Sequence, residues 1–218
     1  MGREIEIKIP LTDVEYKRIF DFVNGNTDFD GVSICGSKAE HLLKSDEYYS
    51  RYESREESKK AGEPQVIRIR CENCSENWKG VDPVADNASV QPNERSFFCI
   101  KRKSVENGIE LNREDETFVE NADVIRDLLN LSGYHKFFEK KKDALSVHCK
   151  SDVLEGADFH LELEIVNGFK YIEVEVTDGE VSADKVRGAL GKFMEKFGLD
   201  TARRDSRSWM EIIQGCAK

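Results

Sequence analysis

Glu4, Glu6 and Lys8 stand two residues apart at the start of the chain, interleaved with Ile5, Ile7 and Ile9. Successive side chains of an extended segment point to opposite faces. Two carboxylates and an ammonium therefore share one face, about 7 Å apart in succession, and three isoleucines share the other. The pattern recurs. Arg68 and Arg70 alternate with Ile67 and Ile69, Lys101 and Lys103 lie opposite Phe98 and Ile100, and Arg113 and Asp115 are two apart. Lys140 and Lys142 keep the spacing, as do Glu162 and Glu164, and then Glu173 and Glu175. Carboxylates are hard oxygen ligands for Mg²⁺ or Mn²⁺, and Mg²⁺ is usually held by one or two carboxylates together with substrate phosphates. Arginine and lysine grip phosphoryl oxygens, arginine often at two points. Together they suit a chain of several phosphoryl groups with its metal, on the logic of two bound ions.

One such strand is only a sheet with a wet face. Several strands with pure-sign doublets are different, because like charges two apart repel and a surface shaped for solubility intersperses the signs. A closed antiparallel barrel satisfies both halves of the pattern, with its charged face inward and its apolar face outward under helices. Charge inside is tolerable when the interior is hydrated and each charge meets a counter-charge.

The elements that would build it can be read in order. After the first strand, residues 11–25 form a helix capped by Thr12 or Asp13, with Val14, Ile19, Phe20 and Val23 as its stripe and Gly25 beyond its end. Residues 26–44 give no clear pattern. Strands are expected over 44–52, 65–71, 95–104 and 109–120, the last two joined at Asn107-Gly108. A helix over 121–133 runs from an Asn121 cap to Gly133. Strands follow over 136–147, 158–168 and 170–179, with a turn at Asn167-Gly168, and helices over 182–197 and from Ser206 to Cys216. Residues 53–64 are expected to be a flexible, solvated loop, and 72–96, with Pro83, Pro92 and few large apolar residues, a long loop or insertion.

The length of 218 residues suits one domain, 1–218, with a substantial core. Apolar runs fall short of the ~18 residues of a membrane span, and the charged N-terminal strand leaves no room for a secretory leader. A cytoplasmic location is expected, with all six cysteines reduced and the Asn73 and Asn87 sequons without weight. Cys71 and Cys74 have zinc-ligand spacing, but no second such pair follows. A net charge of −10 argues against broad nucleic-acid binding while allowing a local basic pocket. His41, His135, His148 and His160 lack the spacing of a metal pair, and His135 reads as a turn residue before a strand.

The ordered series EIEIKI, SDEYY, VIRIR, FFCIKRK, NREDE, GYHKFFEKKK, YIEVEV and SRSWMEII resembles the CYTH superfamily, the triphosphate tunnel metalloenzymes. It covers most of the chain apart from the two loops. The resemblance implies an α+β fold, a closed eight-stranded antiparallel β-barrel flanked by helices. By motif it implies that Glu4, Glu6, Glu164, Glu173 and Glu175 hold metal, with Glu162 able to share the role of Glu164. It implies that Lys8, Arg68, Arg70, Lys101, Lys103, Arg113, Lys140, Lys142 and Arg207 bind the phosphate chain, with Lys8, Arg68, Lys101 and Arg113 acting in catalysis. Two motifs, GYHKFFEKKK and SRSWMEII, look closer to class IV adenylyl cyclases than to thiamine triphosphatases. One departs from the cyclases, since GFK with Lys170 replaces the usual Gly-Asp-Phe before the final Glu-x-Glu.

Both reactions of that family fit the residues: cyclisation of ATP to cAMP and pyrophosphate, or hydrolysis of ATP, tripolyphosphate or thiamine triphosphate. A non-catalytic polyphosphate or nucleotide binder would need the cations without the acids. An RNA 5′-triphosphatase shares the chemistry, but the acidic net charge disfavours it. A homodimer is compatible with the sequence.

Overall fold

The computed structural model describes residues 2–63, 65–73, 94–106, 109–177 and 183–215. Eight strands carry the fold: β1 (Gly2–Pro10), β2 (Val32–Ser50), β3 (Val66–Glu72), β4 (Arg95–Glu106), β5 (Ile109–Val119), β6 (His135–Ser151), β7 (Phe159–Val166) and β8 (Phe169–Thr177). They pair antiparallel in a closed ring, β1-β5-β4-β3-β2-β6-β7-β8, with β8 returning to β1. The helices are α1 (Asp13–Val23), α2 (Arg55–Lys60), α3 (Ala122–Leu131), α4 (Ala183–Lys196) and α5 (Trp209–Gly215).

Register decides which residues meet. Asp46 lies opposite both Arg70 and Lys140, Lys44 opposite Lys142, and Lys101 opposite Glu114. On the other side of the ring, Glu6 and His160 both face Glu175, while Lys8 and Glu162 both face Glu173. The charged faces thus turn inward together. The isoleucines of β1 and Leu161, Leu163, Ile172 and Val174 turn outward and pack under α1 and α4, where the Phe159 and Phe193 rings stack at 4.4 Å. A smaller outer cluster joins Ile69 and Ile67 to Leu129 and Ile125 of α3.

Local chemistry fixes the connections. The α1 capping box has Thr12 Oγ1 accepting from the Glu15 amide at 3.3 Å while Glu15 Oε2 accepts from the Thr12 amide at 2.8 Å. Its buried face is Tyr16, Ile19, Phe22 and Val23; Val14, expected in the stripe, is exposed. The β7–β8 turn places Asn167 at φ 48° and Gly168 at φ 86°, as a two-residue hairpin requires.

Three expectations are corrected. Residues 53–64 are not all loop: α2 forms there, with Ser54 capping the Glu57 amide at 3.2 Å, acids in its first turn and Lys59 and Lys60 in its last. Only Ser58 is buried, so no apolar stripe announces it. The unpatterned residues 26–44 contain the first thirteen of the 19 residues of β2, where a register shift between Cys35 and Glu40 interrupts the alternation. Cys71 is disulfide-bonded rather than reduced, and so cannot offer zinc a thiolate; Cys35, Cys99 and Cys149 are free thiols. Cys74 lies outside the described residues, as does most of the 72–96 loop. Among the described residues no helix is long and apolar enough to cross a membrane.

Candidate active site

The ring encloses a cavity of about 270 Å³. One part of its wall is basic. Arg68, Arg70 and Lys140 converge on Asp46, a fully buried carboxylate: Arg70 binds it at 2.7 and 3.0 Å, Lys140 lies at 3.3 Å and Arg68 at 3.8 Å. Burial alone would raise the Asp46 carboxyl, but Arg70, Arg68 and Lys140 outweigh it and hold it well below the usual range. Burial likewise pulls Lys140 down, to about 8, despite Asp46 beside it. Lys101 reaches Glu114 at 2.6 Å and Glu6 at 3.8 Å, and Arg68 donates to Glu114 and Glu116 at 3.2 and 3.1 Å.

The opposite wall, from β1, β7 and β8, is acidic. Like charges lie directly across from one another, Glu6 from Glu175 and Glu162 from Glu173, an arrangement that destabilises an antiparallel pair. Lys142 is shared among Glu162 at 2.9 Å, Glu173 at 3.9 Å and Glu164 in close contact, and Lys44 reaches Glu162 at 2.5 Å. Burial, together with the charges of Glu173 and Glu162, raises Glu164 to about 7 in spite of Lys142.

At the end of the cavity beside α2 and α5 the lining turns aromatic, with Tyr48, Tyr134, Phe137, Phe138 and Trp209. Tyr48 and Phe138 rings lie 5.5 Å apart. The Lys8 and Lys140 ammonium groups sit 5.5 and 5.8 Å from the Trp209 ring centroid. Lys8 donates to the Arg207 carbonyl at 2.7 Å, so the segment entering α5 is tied to β1. Near the other end His160 lines the cavity.

No protein-family model and no curated protein matches the chain. Its structure, however, is similar over nearly its whole length to solved ones. The PH1819 protein of Pyrococcus horikoshii OT3 superposes with a TM-score of 0.65 at 16% identity, covering 98% of this chain and 99% of that one. A "putative adenylate cyclase" from Vibrio parahaemolyticus gives 0.61 at 18% identity, covering 97% of each chain. HpAC1 from Hippeastrum, a protein with a dominant triphosphatase activity, gives 0.57 at 13% identity over 99% and 96% of the two chains. The chain has the CYTH fold.

Within this CYTH fold the expected residues separate into two groups. Glu6, Lys8, Arg68, Arg70, Lys101, Lys140, Lys142, Glu173 and Glu175 line one cavity, and Glu164 is buried against Lys142 behind it. Arg113 and Arg207 do not join them. On β5 it is Glu114 and Glu116 that face the cavity, so Arg113 and Asp115, one residue out of step, point outward beside Arg102. Arg207 turns its guanidinium to Asp205 at 2.7 Å and is largely exposed, leaving only its carbonyl to Lys8. The side chains of Glu4 and Lys103 lie outside the described residues.

Sequence reasoning missed Lys44, Tyr48, Glu114, Glu116 and His160 in the cavity lining, and Asp46 buried behind its cations. Signals existed for most: Lys44, Asp46 and Tyr48 alternate, as do Glu114 and Glu116.

Two groups of acids could hold a metal, and they fit unequally. Cys99, Glu114 and Glu116 bring ligand atoms together. But Arg68 and Lys101 already neutralise these carboxylates, and burial pushes the Cys99 thiol to about 12, far from the thiolate a metal needs. The acids of β1, β7 and β8 are free of a thiol and offer only the hard oxygen donors a divalent ion takes, and Lys142, with Lys44 beside Glu162 and Lys8 beside Glu173, holds these two carboxyls ionised despite their burial.

Proposed function

We propose that this chain, as a single tunnel domain, is a metal-dependent enzyme that breaks a phosphoanhydride bond of an organic or inorganic triphosphate. The observation that carries the reading is the face-to-face arrangement of a basic wall and an acid-rich wall inside one closed ring. Arg68, Arg70, Lys101 and Lys140 would hold the phosphate oxygens, with Asp46 keeping three of these cations assembled when no anion is present. Glu6, Glu162, Glu164, Glu173 and Glu175 would hold Mg²⁺ or Mn²⁺, which would draw charge from the phosphoryl oxygens as the bond breaks. The aromatic end gives the organic group a surface on which to stack.

Attack of water on the γ-phosphorus releases orthophosphate; this hydrolysis is the activity favoured here, and the triphosphatase activity of HpAC1 accords with it. The aromatic end also favours a second reading. A base held there could bring its ribose 3′-hydroxyl to the α-phosphorus, releasing pyrophosphate and a cyclic nucleotide.

The test is incubation with ATP, thiamine triphosphate or tripolyphosphate and Mg²⁺ or Mn²⁺, with orthophosphate, pyrophosphate and cAMP separated. Orthophosphate that disappears on chelation and in Glu173→Gln supports hydrolysis; cAMP with pyrophosphate supports the second reading. No product above the Glu173→Gln background from any substrate overturns both.

A further inference from the structure

Near the end of the cavity away from the aromatic residues, three side chains from three neighbouring strands form a hydrogen-bonded line. Ser146 Oγ on β6 lies 2.7 Å from His160 Nε2 on β7, and His160 Nδ1 lies 2.8 Å from Glu175 Oε1 on β8. A carboxylate can only accept, so Nδ1 carries a proton, while Nε2 accepts from the serine hydroxyl in the neutral ring and donates to the serine oxygen in the imidazolium. Both ring nitrogens are engaged, and the His148 ring stacks on His160 at 4.9 Å with 21° between planes, so the imidazole is held in one orientation. The order of groups is that of a nucleophile, base and acid. Ser146 is nevertheless buried, and it is His160, Glu162 and Glu175 that line the cavity, so the serine is placed to fix the histidine rather than to attack a substrate.

What the line acts on is Glu175. This carboxylate sits directly opposite Glu6 on one side and His160 on the other. A hydrogen bond from His160 to one of its oxygens sets the rotation of the carboxylate and leaves the second oxygen for another partner. Hydrogen-bonded outer partners of a ligating carboxylate orient it and tune its affinity for the ion. We propose that His160, locked by Ser146, is a positioning residue that orients Glu175 as a ligand for the divalent ion of the tunnel. The inference rests on the metal-dependent reading above and goes beyond it by assigning two residues that lie outside the acid and basic sets.

The experiment is direct binding of Mn²⁺ to the purified full chain, with free Mn²⁺ read by electron paramagnetic resonance. Wild type, His160→Ala, His160→Gln, Ser146→Ala and Glu175→Gln are titrated, and the thermal midpoint of each is measured without metal. His160→Ala is expected to weaken Mn²⁺ binding on the order of 10–100-fold with little change in that midpoint. His160→Gln, which keeps a donor for Glu175, is expected to recover most of the loss, and Ser146→Ala to lose less than His160→Ala. Wild-type affinity in His160→Ala or in Glu175→Gln overturns the proposal. So does weakened binding in His160→Ala that the glutamine does not restore and that a fallen thermal midpoint accompanies. Failure of the wild type itself to bind Mn²⁺ removes the metal-dependent reading and this inference with it, which separates that failure from the others.

Discussion

Arg70 holds Asp46 at two points, Nε to Oδ1 at 2.7 Å and Nη2 to Oδ2 at 3.0 Å, in the middle of the barrel wall. Lys140 reaches the same carboxylate from the neighbouring strand on the other side. One acid therefore holds together three cations of two strands, Arg68 and Arg70 of β3 and Lys140 of β6, and on the proposed reading it stands where a phosphate would otherwise meet them.

The consequence can be measured by thermal unfolding. Asp46→Asn leaves Arg68, Arg70 and Lys140 buried beside a neutral group, and breaking a buried pair in this way costs about 3–5 kcal/mol. The midpoint of the ligand-free variant should fall accordingly. Added tripolyphosphate should then raise the midpoint of the variant by more than it raises that of the wild type, because the freed cations gain a partner. A smaller rise in the variant would mean that Asp46 supports the phosphate site rather than substituting for its ligand.

Arg68 and Arg113 separate residues that face the cavity from residues that only share its sequence motif. Arg68 is buried between Asp46, Glu114 and Glu116. Its loss in Arg68→Ala should lower turnover on the order of a hundredfold, as removal of one donor to a developing anion does elsewhere. Arg113 lies outside with Asp115, and Arg113→Ala should stay within about twofold of wild type. Equal losses in steady-state assays of the two variants would contradict the placement of β5.

That pair also marks how far the residues alone could be read. The charged doublets on β1, β3, β4, β6, β7 and β8 disclosed the barrel because a period of two survives any uncertainty about strand ends. In β5 every residue from Asn112 to Glu116 is polar, so alternation could not say which set faced inward, and a slip of one residue exchanged Arg113 for Glu114. Arg207 failed for another reason: it lies outside any strand, where no periodicity constrains the direction of a side chain. Asp46 and His160 were on the correct faces but isolated in type, and only the pairing of β2 with β3 and β6, and of β7 with β8, supplies their partners.

Acid should weaken the fold through Glu114. Burial raises this carboxyl, but Lys101 and Arg68 overcome the effect and hold it at about 2, against 4.5 for an ordinary glutamate. Between those values the unfolded chain binds the extra proton, so the stability that Glu114 contributes is complete above 4.5 and is lost as pH falls toward about 2. Denaturant unfolding followed from pH 6 to pH 3 should show a steeper loss for wild type than for Glu114→Gln, whose side chain cannot titrate. Parallel curves would place the acid sensitivity in the other buried carboxylates, Asp46 and Glu162, which are also held low.

The aromatic end predicts a split between substrates. Tyr48 and Phe138 form a tilted pair 5.5 Å apart, with Tyr134 and Phe137 in the same wall, immediately beyond the cations that would hold the phosphates. Stacking of a base on an aromatic side chain contributes about 1–3 kcal/mol, so Phe138→Ala should raise KM for ATP at least about fivefold. Tripolyphosphate has no ring to stack, and its KM should not change. Steady-state kinetics with both substrates on the same preparation separates the two cases. An equal rise for both would show that Phe138 acts through the packing of β6, whose Lys140 lies two residues on, and the organic group would then have to be recognised elsewhere along the cavity.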